Sequence, residues 1–142
     1  MLNSKRIGNI TELECMLAFM KLGYNILTPY GDCERYDFVV DVNGKFVRIQ
    51  VKTSKLSEDG TKFSFNTAST HYVNGKCVHD TYTKDDIDYF ATVYDGQVYL
   101  IPVEEGSNRS KSLRLEPTKN GQTQRITWAK DYKLEEVVKK LC

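Results

Sequence analysis

The dipeptide Asn43-Gly44 stands between two β-rich runs, "RYDFVVDV" and "KFVRIQVK". Both residue types tolerate the positive φ that a two-residue hairpin loop demands, which makes this the strongest short-range fold signal in the chain. A loop that short fixes the pairing. Val42 faces Lys45, and counting outward sets Asp41 against Phe46, Val40 against Val47, Val39 against Arg48 and Phe38 against Ile49. Asp37 then falls against Gln50, and Tyr36 against Val51. Because side chains alternate along a strand, one face carries Tyr36, Phe38, Val40, Val47, Ile49 and Val51. The other carries Asp37, Arg48, Gln50 and Lys52, with Val39 and Phe46 as its apolar members. A slip of one residue would turn Phe38, Ile49 and Val51 outward, so register and burial agree.

The segments around this hairpin are read from period and punctuation. Residues 9–23 suit an amphipathic helix, with Ile10, Leu13, Leu17 and Met20 on the expected buried face, Asn9 as N-cap and Gly23 as stop. Residues 24–28 suit a short strand and residues 61–65 another. A second hairpin is expected at Asp95-Gly96, and Leu134, Val137, Val138 and Leu141 mark a closing helix. The polar, aromatic-spotted stretch 66–82 reads as a long irregular loop. The order is α, β, β-hairpin, β, loop, β-hairpin, α, which is an α/β (α+β) domain with a mixed sheet and flanking helices. A chain of 142 residues is most simply one domain, spanning 1–142.

Composition removes several classes. No stretch approaches the roughly 20 apolar residues of a membrane span. The N-terminal "MLNSKRIGN" has no signal-like apolar run, and the four cysteines share no CxxC spacing, so a reducing cytoplasmic setting is expected. His71, Cys77 and His79 come nearest to a metal cluster but lack a fourth ligand at zinc-like spacing. The net charge is only +1, yet residues 80–95 are acid-rich and 109–125 base-rich; the plain reading of each run is a solvated loop.

The polar face of the first hairpin is harder to dismiss. Opposed residues have Cβ atoms roughly 5 Å apart and diagonal neighbours roughly 7 Å, so Asp37, Gln50 and Lys52 can share one small object. On a helical wheel Glu12 falls between Met16 and Phe19, inside the apolar arc, where a carboxylate needs a task. One task is structural: with Asn9 as N-cap, Glu12 sits at the third helical position of a capping box. Likewise Asp37 and Lys52 can be a plain cross-strand ion pair on a solvated sheet surface.

Helix acid, then aspartate, then position-x-lysine across a hairpin resembles the layout of the PD-(D/E)XK nuclease superfamily. "GNITE", "LGYNILTPYGDCERYDFVVDVNGKFVRIQVKTSK" and "DDIDYFATVYDGQVYLIPV" look like its compact branch of intron homing endonucleases and resolvase-like nucleases. The resemblance implies a restriction-endonuclease-like core and hydrolysis of DNA phosphodiester bonds with Mg²⁺, or Mn²⁺ in its place. It assigns catalysis to Glu12, Asp37, Gln50 and Lys52, with Asp37, Gln50, Glu12 and the Val51 carbonyl as metal ligands. Tyr36 replaces the motif's proline, and Gln50 replaces its second acid.

Double-stranded DNA is the expected partner, and cutting both strands calls for a homodimer or homotetramer. Candidate DNA contacts are Lys5, Arg6, Arg35, Thr53, Ser54, Lys55, His71, Gln122, Gln124 and Arg125. Two other readings stay open: a Holliday-junction resolvase-like nuclease, and a degenerate nuclease fold that only binds DNA or protein.

Overall fold

A computed structural model describes residues 2–118, 120–121 and 126–141 of the chain. Helix α1 (Ser4–Lys21) leads into strand β1 (Asn25–Leu27), then β2 (Phe38–Val42) and β3 (Lys45–Val51). Strands β4 (Lys55–Leu56), β5 (Lys62–Asn66), β6 (Ala68–Val73) and β7 (Lys76–Thr81) follow. The chain then forms β8 (Tyr89–Tyr94), β9 (Gln97–Pro102), β10 (Ser110–Arg114) and helix α2 (Leu134–Leu141). The main sheet has the order β1-β2-β3-β8-β9, with β4 and β10 flanking β5 in a second sheet and β6-β7 as a separate ribbon. β3 and β8 run parallel and the other pairs of the main sheet antiparallel, so the sheet is mixed as expected.

The β2–β3 pairing is the one counted from the turn, from Val42 against Lys45 to Phe38 against Ile49. Asn43 and Gly44 have φ of 53° and 90°, and the Gly44 N–H donates to Asp41 Oδ1 at 2.7 Å. Phe38, Val40, Val47 and Ile49 are buried together with Cys15 and Phe19 of α1 and Leu134, Val137 and Val138 of α2. Tyr36 departs from the expected face: it packs with the second core, formed by Phe63, Phe65, Ile87, Phe90, Tyr99, Ile101 and Leu113.

The structure corrects the reading of α1 twice. The helix starts five residues earlier than expected, with Asn3 as N-cap accepting from the Arg6 N–H at 2.8 Å. The face laid on the sheet is Thr11, Cys15 and Phe19, whose ring meets Phe38 edge-on at 6.0 Å. Ile10, Leu13, Leu17 and Met20 instead remain 41%, 64%, 52% and 59% exposed. The helix is apolar on two sides, and periodicity alone selected the outer one. Small Cys15 and planar Phe19 are what allow the inner side to seat closely.

Stretch 66–82 is likewise not an irregular loop. It is the β6–β7 ribbon, turned at Asn74-Gly75 with φ of 51° and 77°. Nor is the base-rich run a loop throughout, because 110–114 pairs with β5. No helix among the described residues is long and apolar enough to cross a membrane.

Since Phe38 is fully buried and Phe46 is 61% exposed on the same hairpin, truncation separates the two faces. Phe38→Ala is expected to lower unfolding stability by about 3–5 kcal/mol, and Phe46→Ala by no more than about 0.5 kcal/mol, measured by urea denaturation.

Candidate active site

Three elements converge on the polar end of the first hairpin. Asp37 directly precedes β2; its N–H donates to the Ile49 carbonyl at 2.7 Å, while its carboxylate Oδ2 accepts from the Val51 N–H at 2.7 Å. Asp37 is thereby tied to β3 twice, once through its main chain and once through its carboxylate. Lys52 directly follows β3, its main-chain N–H donating to the Ala91 carbonyl of β8 at 2.8 Å. Gln50 is half-buried, and its amide Nε2 donates to the Arg35 carbonyl.

Glu12 comes from α1, half-buried beside the helix face that holds Cys15 and Phe19. With the cap at Asn3, Glu12 lies well inside the helix and no capping box explains it. Its carboxyl is pushed above the ordinary range by burial and by the nearby Asp37 charge. Asp37 is also pushed up, by burial, against the opposing pull of the Val51 N–H and the Lys52 ammonium. Burial raises the Cys15 thiol to about 12, helped by the charges of Glu14, Asp37 and Glu12. Two partly desolvated carboxylates therefore share one region and hold their protons more tightly than free ones. An added cation relieves that arrangement.

Oxygen donors of this kind suit a hard divalent ion: two carboxylates, the Gln50 amide oxygen and main-chain carbonyls. Among the described residues no three His, Cys, Asp or Glu side chains cluster as a metal set. Val51 enters the site through its N–H, which positions Asp37.

A cluster that sequence reading did not assemble lies behind Gln50 and Lys52. The Arg35 guanidinium sits 3.9 Å over the Tyr82 ring and bonds Asp86 Oδ2 at 2.9 Å, the Thr81 carbonyl at 2.8 Å and Ser69 Oγ at 3.1 Å. Lys52 Nζ is 3.4 Å from the Tyr82 hydroxyl and 4.9 Å from its ring centre. Asp86, and Asp88 with Arg48, belong to the acid-rich run, so part of that run anchors arginines and does not merely face water. The hint available in the sequence was the aspartate spacing together with Tyr82 at the ribbon's end.

The remaining candidates are scattered. Lys5, Arg6, Thr53 and Lys55 are exposed, and His71 lies on the ribbon with Nδ1 3.3 Å from Asp80. The Ser54 hydroxyl is spent on the Val93 carbonyl, and the Arg35 side chain on the contacts above. Gln122, Gln124, Arg125 and the His79 side chain fall outside the described residues.

A mixed sheet flanked by helices, with an acid, an amide and a lysine at the open end of its first hairpin, defines a restriction-endonuclease-like domain. The chain belongs to the PD-(D/E)XK endonuclease family, whose model matches residues 2–135. It is 31% identical over 99 residues to Protein 5.3 of Escherichia phage T7, covering 69% of this chain and 79% of that protein. A bacterial homing endonuclease, I-Ssp6803I, superposes with a TM-score of 0.75 at 24% identity, over 98% of this chain and 95% of the other. That likeness is one of fold.

Because the folded state raises the proton affinity of Asp37 and Glu12, their ionised forms destabilise it. The penalty is present above the folded pKa values and disappears as pH falls through them. Asp37→Asn, which can still accept from the Val51 N–H, is expected to melt a few degrees higher than wild type at about pH 8, with the gain shrinking toward about pH 4. Thermal melts of both proteins across that range check the sign.

Proposed function

We propose that this protein is a divalent-metal-dependent DNA endonuclease of the homing or related phage type, using Mg²⁺ with Mn²⁺ as a substitute. The observation that carries the reading is the Asp37 carboxylate, bonded to the Val51 N–H and electrostatically coupled to Glu12 on one side and Lys52 on the other. A solvated ion pair needs no second, half-buried acid from a helix; a nuclease site does.

A bound divalent cation supplies charge neutralisation at the phosphate and a more acidic water. Asp37, Glu12, the Gln50 oxygen and the Val51 carbonyl would hold it. Lys52 contributes a positive charge beside Asp37, suited to offset charge developing on the attacked phosphate. Exposed Lys5, Arg6 and Lys55, with Thr53 and His71, supply phosphate and groove contacts. The two-stranded β6–β7 ribbon, exposed from Thr70 to Cys77, has dimensions that a major groove admits.

Cleavage of both strands calls for paired copies. The stripe Ile10, Leu13, Leu17 and Met20 supports a homo-oligomer, since its 3-4-3 spacing is that of a helix–helix seam and it faces outward. Leu13→Lys with Leu17→Lys is expected to convert the wild-type oligomer to a single chain in sedimentation. A wild type that already sediments as one chain on DNA would remove this part.

Incubation of pooled duplex DNA with Mg²⁺ or Mn²⁺ tests the activity. Cleavage is expected from wild type, falling by at least about 100-fold in Asp37→Ala and in Lys52→Ala. Preference for four-way junctions over duplex in competition would instead indicate a resolvase. Binding without cleavage in either metal would leave a DNA-binding module.

A further inference from the structure

Gln50 occupies a position where the family motif has a carboxylate, and its surroundings give a reason. The amide nitrogen of Gln50 donates to the main-chain carbonyl of Arg35. A carbonyl only accepts, so the nitrogen must face it and the amide oxygen must turn the other way. An ionised carboxylate at the same place sets acceptor against acceptor, with no donor to join them.

Arg35 is itself held from several directions. Its guanidinium bonds Asp86, the Thr81 carbonyl and Ser69 at 2.8–3.1 Å. Asp86 is fixed in turn by the Thr83 N–H at 3.0 Å. The same guanidinium covers the Tyr82 ring, whose other contacts are the edge of Phe90 at 5.5 Å and the Lys52 ammonium at its hydroxyl. Ser69, Asp80 and Thr81 form the base of the β6–β7 ribbon. Two side chains of the site are thus tied to a single residue, one through its backbone and one through its side chain.

We propose that Arg35 is a positioning residue of the nuclease site, its carbonyl requiring and orienting the amide at position 50 and its guanidinium, through Tyr82, seating Lys52. This rests on the nuclease reading for its catalytic consequences but not for its geometry. The arrangement explains the departure from the family motif: glutamine supplies an oxygen of fixed direction where a carboxylate would lose its anchor.

The test has a structural arm and a kinetic arm. In ¹⁵N NMR of the metal-free protein, the Gln50 side-chain NH₂ is expected to exchange with solvent about tenfold more slowly than that of an exposed glutamine such as one introduced at Glu58 (Glu58→Gln). Arg35→Ala keeps the carbonyl but removes the guanidinium anchors that fix its position, and is expected to lose most of that protection; Arg35→Lys is expected to restore little of it because one ammonium cannot reproduce the fork. In single-turnover cleavage, Gln50→Glu is expected to lose at least about tenfold at neutral pH. Tyr82→Phe, which keeps the ring and removes only the hydroxyl, is expected to lower the rate constant for cleavage by a few-fold without altering DNA affinity.

An unprotected Gln50 amide in wild type overturns the proposal, as does a Gln50→Glu variant that cuts as well as or better than wild type. If wild type cuts no substrate, the nuclease reading fails, and amide protection with its loss in Arg35→Ala still decides the geometry.

Discussion

The turn at Asn43-Gly44 holds both central residues at positive φ, and with that the pairing of β2 and β3 has a single solution. From this one register follow the burial of Phe38 and Ile49, the placement of Asp37 against the Val51 N–H and the outward path of Gln50 and Lys52. The parallel pairing of β3 with β8 adds a second restraint, because the Lys52 N–H is bonded to Ala91 at the point where β3 ends. A slip of one residue would empty the core and scatter the site together. Fold and chemistry are therefore protected by the same hydrogen bonds.

That coupling explains what could be read from the chain beforehand. A two-residue turn converts sequence distance into spatial distance with no adjustable parameter, so Asp37, Gln50 and Lys52 were legible, and so was Glu12 from its place beside Phe19. Helix α1 was legible as a helix but not in its orientation, since Ile10, Leu13, Leu17 and Met20 make a better apolar stripe than Thr11, Cys15 and Phe19. Tertiary packing overrode periodicity there. The ribbon at 66–82 carried the same Asn-Gly signal as the first hairpin, at Asn74-Gly75, but its strands are polar on both faces and lack the alternation that marks a half-buried strand. The second core, joining Phe63 and Leu113 to Phe90 and Ile101, depends on contacts between distant segments that no local pattern encodes.

Charge is distributed by function more than by count. Asp86 and Asp88 are committed to Arg35 and Arg48, whose guanidiniums also bond main-chain carbonyls of Thr81, Lys84 and Asp85. These joints tie β3, through Arg48, and the segment before β2, through Arg35, to the segment leading into β8, and they take two arginines out of the pool that could meet a polyanion. Among the described residues Lys5, Arg6 and Lys55 are exposed, on α1 and on the strand that follows Lys52. A chain with a net charge of only +1 thus holds some of its cations in internal joints and leaves others exposed to solvent.

The amide at position 50 also changes the electrostatic balance of the site under the proposed function. Glu12 and Asp37 already resist ionisation because each is partly buried, and Glu12 also feels the Asp37 charge. With Lys52 they sum to one net negative charge, while Arg35 adds nothing because Asp86 neutralises it. One divalent cation and one phosphodiester would bring that sum to zero. A third carboxylate would leave it negative, deepen the repulsion between the acids and break the bond to the Arg35 carbonyl. Glutamine keeps the oxygen, removes the charge and donates to the one acceptor that faces it. Under the proposed function an arrangement balanced in this way would suit one divalent cation better than a pair, because a second ion would have no negative charge left to neutralise.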